Sequence, residues 1–344
     1  MRAVIVHAAK DLRIGEVETG EPSGGQVRVR IEAGGICGSD LHYFHEGRIG
    51  TITLKQPMVL GHEVAGRIES LGADVAGLQV GDRVALNPSR PCGACRFCRD
   101  GEQIHCLDMR FYGSAMRYPH VQGAFREAIV ADATQCHVVP ASLSAGEAAM
   151  AEPFAVCLHA VNRAGPMLGK RVLVTGSGPI GALCVLAARR AGAAEIVATD
   201  LSEAPAEVVL KLGADRFINV ARHNAEMQAY AADKGQFDVL LEASGSDKAL
   251  AAAFELVRPR GVIVQVGIGG MGTLPLNLIV AKEFDLRGTF RFHAEFALAV
   301  TLIAKRLVDV RPLITATLPF TEATAAFTLA SDRQRAMKVQ LAFG

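Results

Sequence analysis

The stretch Arg171-Val172-Leu173-Val174-Thr175-Gly176-Ser177-Gly178-Pro179-Ile180-Gly181 decides the fold. Arg171 to Thr175 is a continuous run rich in β-branched residues, as expected of a strand buried on both faces of a parallel sheet. Pro179 to Ala191 is Ala-rich and reads as a helix. The turn between them is Gly-x-Gly-x-x-Gly in the strand-then-helix setting that gives this motif meaning. Gly176 permits the tight turn, Gly178 lets the backbone approach a pyrophosphate, and Gly181 lets helix and strand pack closely. The helix N-terminus, with Pro179 and Ile180 in its first turn, offers unpaired N–H groups and a positive dipole end to phosphates. Asp200 lies nineteen positions beyond Gly181, at the end of the next apolar run, Glu195 to Thr199. A carboxylate there accepts hydrogen bonds from ribose hydroxyls and repels a 2′-phosphate, which favours NAD over NADP. The alternative role for Asp200 is a helix N-cap, which Ser202 could equally fill.

Outward from this unit, strand and helix patterns alternate. Glu203 to Leu212 is helical and Gly213 closes it. Phe237 to Leu241, Asp247 to Val257 and Val262 to Val266 read as strand, helix and strand, and Leu286 to Thr289 as a further strand. The fold class is therefore α/β, with an open parallel sheet and helices on both faces. Past Val266, the residues Gly267, Gly269 and Gly270 form either an ordinary turn or a loop passing close to the nicotinamide. The first 150 residues differ. They are short β-branched runs punctuated by Gly, Pro and Ser, with weak helix signals, and read as an all-β domain with long loops. His293 to Lys305 is helical, and the tail from Pro312 to Phe343 mixes short strands with a helix over Glu322 to Ser331.

Composition narrows the function classes. A chain of 344 residues suits two domains, and half its residues are hydrophobic, so large cores can form. Its net charge of +1 argues against a broad nucleic-acid surface. No apolar run approaches the ~18 residues of a spanning helix, and Lys10 and Asp11 interrupt the N-terminus too early for a secretory segment. The expectation is a soluble, cytoplasmic protein with no nucleic-acid or membrane partner.

Four of the eight cysteines, Cys92, Cys95, Cys98 and Cys106, fall within fifteen residues at spacing C-x2-C-x2-C-x7-C. Pro91, Gly93 and Gly101 bend the chain around them. Four thiolates suit a closed, structural tetrahedral zinc site, and an iron–sulfur cluster is the competing reading. Cys136, Cys157 and Cys184 are isolated in apolar surroundings and read as core residues. Cys37 sits in Gly35-Ile36-Cys37-Gly38-Ser39-Asp40-Leu41-His42, His62 and Glu63 in Gly61-His62-Glu63, and Glu152 in Ala151-Glu152-Pro153. An open zinc site needs three such ligands and one exchangeable position, although a lone Cys and a lone His are more often structural.

Together these motifs resemble the zinc-dependent medium-chain alcohol and polyol dehydrogenases, in family order and over essentially the whole chain. The resemblance implies a GroES-like β domain over residues 1–153 with a structural-zinc lobe at about 88–108. It implies a Rossmann domain over 154–292 and a return to the β domain over 293–344. It implies two zinc ions per chain and NAD, with NADP the lesser choice. Cys37 and His62 match the family's catalytic-zinc ligands, and Glu63 matches the acidic ligand of polyol dehydrogenases. Glu152 stands where other branches place a second cysteine and either binds zinc or holds its water. Asp40 matches a carboxylate that orients the histidine. Ser39 matches the hydroxyl that takes the proton from the substrate alcohol, and His42 the outer end of the proton relay. Pro179, Ile180, Val266 and Gly267 join the three motif glycines and Asp200 as cofactor contacts.

Within that family the chain most resembles a branch acting on a sugar acid, L-idonate, with sorbitol and xylitol oxidisers as relatives. The matching stretches include Gly34 to Tyr43, Pro57 to Val64, Asn87 to Cys95, Asp108 to Met116 and Thr289 to Phe292. A carboxylate substrate calls for a cation at its far end; candidates are Arg110, Arg117, Arg291 and His120. Each is otherwise an ordinary surface or structural residue. The family also implies a homotetramer or homodimer.

Overall fold

The computed structural model describes residues 1–270 and 272–344. The chain divides into two compact units. The first comprises Met1–Glu152, Phe296–Asp332 and Lys338–Gly344; the second comprises Pro153–Glu295 and Arg333–Met337.

The first unit is built on a seven-stranded sheet. Its spine is Gln26–Gly35, in which Val27, Val29 and Ile31 are buried while Arg28, Arg30 and Glu32 alternate with them on the other face. On that outer face Glu32 pairs with Arg67 at 2.8 Å and Arg83 at 2.9 Å. The alternation stops at Ala33, and Ala33, Gly34 and Gly35 are all buried. Gln26–Gly35 pairs antiparallel with Glu63–Leu71, with Gly35 opposite Glu63, and with Lys338–Ala342, with Gly35 opposite Gln340. This register brings three distant parts of the sequence to one end of the sheet. A helix, Gly38–Glu46, leaves directly from there. Asp40, Tyr43 and Phe44 form its buried face at i, i+3, i+4 spacing, and Gly47 ends it at φ 66°.

The second unit is a six-stranded, wholly parallel sheet. Its spatial order is Arg216–Asn219, Glu195–Asp200, Arg171–Thr175, Phe237–Glu242, Val257–Gln265, Asp285–Gly288. This is the doubly wound α/β order expected from the sequence, with its switch point between Arg171–Thr175 and Phe237–Glu242. Val172, Leu173, Val174, Leu240 and Leu241 are fully buried, as a central strand covered on both faces requires. The helix Pro179–Arg190 follows the first strand, with Gly178 as N-cap and Pro179 at the position where a missing N–H matters least. Among the described residues no helix is long and apolar enough to cross a membrane.

Two local expectations change. The β-rich first unit contains the nine-residue helix Gly38–Glu46, which its weak local pattern does not announce. Asp247 to Val257 is not one helix: the helix ends at Ala253 and a strand begins at Val257.

Candidate functional site

The register of the first sheet places Cys37 two residues past Gly35, beside the head of Glu63–Leu71. The ligand atoms of Cys37, His62 and Glu63 consequently lie within 4.8 Å of one another. The approach is close: a Cβ on Gly35 would sit 2.1 Å from Glu63 Oε2 and displace that carboxylate. Asp40 fixes the backbone on both sides of the cluster. Its Oδ2 accepts the Cys37 N–H at 3.0 Å and its Oδ1 accepts the Gly61 N–H at 3.2 Å. The nearest approach of Asp40 to His62 is 3.8 Å, beyond hydrogen-bond reach, and His62 Nδ1 is buried without a hydrogen-bond partner. Phe111 covers the His62 ring at 5.5 Å between centroids.

A thiol, an imidazole and a carboxylate converging in a buried place form a donor set that fits zinc. The electrostatics agree. Burial pushes the Cys37 thiol up to about 12, and the Glu63 and Asp40 carboxylates push the same way. Such a thiol ionises when a cation joins it. Burial also raises Asp40 above the ordinary carboxylate range, opposed by His62 and the Cys37 N–H.

The cluster contains a cation of its own. Lys338 donates to both Glu63 oxygens at 2.8 Å and to the Ile36 carbonyl at 3.2 Å. Both side chains are almost wholly buried. Burial lowers the Lys338 ammonium, but Glu63, Cys37 and Glu152 together outweigh it and the net direction is upward. Glu152, at the head of helix Ala151–Ala164, is buried nearby and falls outside the close triad. Burial raises it to about 8, with His62 opposing and Glu63 adding to the rise.

Ser39 and His42 occupy i and i+3 of helix Gly38–Glu46 and so share a face. Ser39 is half-buried, and its hydroxyl opposes the rise of the Cys37 thiol. His42 is exposed, with Nδ1 3.4 Å from Glu46.

The second cluster is the cysteine lobe. Cys92 and Cys98 sulfurs lie 4.0 Å apart, Cys95 and Cys98 3.6 Å, Cys95 and Cys106 4.0 Å. A tetrahedron with Zn–S bonds near 2.3 Å has edges of about 3.8 Å. The spacing therefore fits one ion and leaves no room for a multi-iron cluster. Backbone N–H groups of Cys92 and Asp108 donate to Cys106 Sγ, and that of Cys95 to Cys92 Sγ. N–H donors, the Leu107 one foremost, lower the Cys95 thiol to about 6, while burial raises Cys98 to about 12.

In the second unit the glycine motif has the expected geometry. Gly176 has φ 80°, which favours glycine, and a Cβ on Gly181 would meet the Gly176 carbonyl at 1.8 Å. Gly178 faces open space. Asp200 accepts from Ser177 N–H at 2.8 Å and Ser202 N–H at 3.0 Å, and caps no helix, since the next one begins at Ala206.

Comparison with known proteins gives the family. Residues 23–141 match the alcohol dehydrogenase GroES-like domain and residues 179–305 match the zinc-binding dehydrogenase domain. The chain is 45% identical to L-idonate 5-dehydrogenase (NAD(P)(+)) of Escherichia coli strain K12 over 92% of this chain and 91% of that one. The chain belongs to the zinc-binding medium-chain dehydrogenase family. The dehydrogenase is also 36% identical to a sorbitol dehydrogenase of Bacillus subtilis, over 92% of this chain and 89% of that one. The crystal structure of the Escherichia coli L-idonate 5-dehydrogenase superimposes with a TM-score of 0.95 at 42% identity, covering 99% and 98% of the two chains.

The candidate substrate cations of the dehydrogenase are not equivalent. Arg117 is engaged by Asp108 at 3.0 Å and reaches the Leu107 carbonyl. His120 is buried with both ring nitrogens used: Nδ1 donates to the Arg117 carbonyl at 2.7 Å and Nε2 accepts the Lys55 N–H at 2.8 Å. Arg110 is exposed on the two-residue strand Arg110–Phe111 and forms no ion pair among the described residues. Arg291 belongs to the second unit and lies over the Phe290 ring at 4.9 Å. The sequence does not announce Lys338, which opens the strand Lys338–Ala342 and meets a partner 275 residues away.

Proposed function

We propose that this dehydrogenase oxidises a secondary hydroxyl of a sugar acid, L-idonate to 5-keto-D-gluconate, reversibly, with two zinc ions per chain and NAD preferred over NADP. The observation that carries the reading is the Cys37, His62 and Glu63 triad in a chain 45% identical to an L-idonate 5-dehydrogenase. Zinc bound there would supply Lewis acidity that lowers a substrate hydroxyl's pKa, and the dinucleotide would accept the hydride.

The chain's own residues do the rest. Cys37, His62 and Glu63 hold the metal. Lys338 offsets the charge of Glu63, so the donor set carries less than two full negative charges. Asp40 locks the Cys37 and Gly61 backbones at the spacing the triad needs. Ser39 takes the proton from the substrate hydroxyl, and exposed His42, one turn on, passes it to water. Glu152, which burial raises to about 8, stands beside the triad, where a bound cation would favour its carboxylate and let it bind the metal or hold its water. Cys92, Cys95, Cys98 and Cys106 hold the second ion structurally. In the second unit, Gly176, Gly178 and Gly181 with Pro179 and Ile180 receive the pyrophosphate, Asp200 the adenosine ribose, and Val266 and Gly267 the nicotinamide side.

We assign residues 1–153 and 293–344 to the catalytic domain and 154–292 to the dinucleotide domain, bounds that depart from the compact units at Pro153, at 293–295 and at Arg333–Met337. The eight unpaired cysteines support a cytoplasmic setting. The edge strand Asp285–Gly288, with Leu286 39% exposed, supports a homodimer or homotetramer.

A second reading, a sorbitol- or xylitol-type polyol dehydrogenase, gains weight from Arg117 and His120, whose polar groups are already engaged within the protein. NADH formation with L-idonate, sorbitol and xylitol separates the two. A kcat/KM at least tenfold higher for L-idonate, about 1.4 kcal/mol of preferential transition-state binding, supports the sugar-acid reading. Preference for either polyol overturns it and leaves the zinc dehydrogenase chemistry intact.

A further inference from the structure

Glu242 ends the strand Phe237–Glu242 and is fully buried. Among the described residues five donors reach its carboxylate, and none is charged. Oε1 accepts from the Ser244 N–H at 2.8 Å, the Thr175 hydroxyl at 3.4 Å and the Ser244 hydroxyl. Oε2 accepts from the Gly245 N–H at 3.1 Å and the Gln265 side-chain amide at 2.6 Å. The Glu242 carbonyl in turn accepts the N–H groups of Val266 and Gly267, both at 2.8 Å.

These partners stand at the ends of three adjacent strands. Thr175 ends Arg171–Thr175 and Gln265 ends Val257–Gln265, the two neighbours of Phe237–Glu242. The loops leaving those strands touch backbone to backbone. A Cβ on Gly176 would lie 2.6 Å from Ser244 Cα, and one on Gly267 would lie 2.2 Å from Gly245 N. The sheet order reverses between Arg171–Thr175 and Phe237–Glu242, where a doubly wound sheet opens the crevice for its ligand. A buried carboxylate with no cation is a poor source of stability, since desolvation is costly and neutral donors offset it only in part. What it offers is geometry, because one group fixes the positions of three loops.

We propose that Glu242 is a positioning residue that sets the shape of the cradle for the nicotinamide half of the dinucleotide, an inference that rests on the dinucleotide-binding reading above. The adenosine half is served by Asp200 and the Glu195–Asp200 strand, on the other side of the switch point. Glu242 ties together the loops that face the second half.

The test is binding of NADH and of AMP to wild type and to Glu242→Gln, alongside thermal unfolding. A glutamine at 242 keeps one acceptor but turns an amide toward the Gly245 N–H and the Gln265 amide. The expected result is NADH affinity at least tenfold weaker and AMP affinity changed less than twofold. If Glu242→Gln does not fold, Ser244→Ala removes only hydroxyl contacts, and about threefold weaker NADH binding with unchanged AMP binding is expected. Unchanged NADH binding, or equal loss for both ligands in step with a lowered Tm, overturns the proposal and leaves Glu242 a structural residue. Wild type that binds neither NADH nor NADPH overturns the dinucleotide reading itself, a distinguishable failure.

Discussion

Replacing Lys338 by Met tests the electrostatics of the triad. The wild-type ammonium makes two 2.8 Å contacts with Glu63 and a third with the Ile36 carbonyl, all out of solvent. Methionine fills similar volume but leaves Glu63 buried without its cation. Removing one partner of a buried pair costs about 3–5 kcal/mol. For a unit of roughly 200 residues that lowers Tm by about 6–20 °C, at about 2–4 °C per kcal/mol. The assay is thermal unfolding of EDTA-treated and zinc-replete protein. In zinc-replete protein the loss should be smaller, because the metal faces the same carboxylate. The double variant Lys338→Met/Glu63→Gln should lose less than Lys338→Met alone in EDTA, since the orphaned charge is gone. A Tm change under 2 °C for Lys338→Met, or a double variant whose losses simply add, refutes the coupling.

Other substitutions test the remaining parts. Cys98→Ser should lower bound zinc by one ion per chain, read by metal analysis, while Cys37→Ser should lower it by the other ion and abolish turnover. Gly181→Val should eliminate NADH binding by fluorescence titration, because even a Cβ there would lie 1.8 Å from the Gly176 carbonyl. Burial pushes Glu295 upward, but bonds from His159, the His293 N–H and Asn162 outweigh it and hold the carboxyl at about 2. A depressed carboxylate contributes stability that is present above its ordinary value near 4.5 and is lost as pH falls toward 2. Glu295→Gln should therefore destabilise the protein by roughly 1–2 kcal/mol at pH 7, after allowance for solvent screening, with the gap to wild type closing below pH 4 in denaturation curves. Arg110→Ala should reduce kcat/KM for L-idonate about tenfold while leaving sorbitol within twofold, if Arg110 meets the substrate carboxylate.

The second unit was legible because its information is local. The central strands Arg171–Thr175, Glu195–Asp200 and Phe237–Glu242 carry largely buried apolar runs, and the glycine motif sits between one strand and one helix. The helix expected over Pro179 to Ala191 is observed over Pro179–Arg190. The first unit was less legible because its site is assembled by register. Nothing near Glu63 in sequence indicates Lys338, which lies 275 residues away and arrives because Gln340 pairs with Gly35. The helix Gly38–Glu46 has only three buried residues, and Asp40 binds its N-terminus to Gly61, a tertiary contact that local propensity does not encode. Sequence could nominate Arg117 and His120 as polar groups near a motif, but not that Asp108, Leu107 and Lys55 already engage them. The cysteine lobe is the opposite case: four thiols in fifteen residues must meet, and they do.

The most direct test of the account combines metal with turnover. Purified protein is chelated, reloaded with zinc in steps, and assayed for NADH formation from L-idonate, with bound zinc counted at each step. Two zinc ions per chain are expected at full loading, with oxidation of L-idonate appearing as the Cys37 site fills. Full turnover of L-idonate in protein stripped of both ions, or no turnover at two ions per chain, would contradict it.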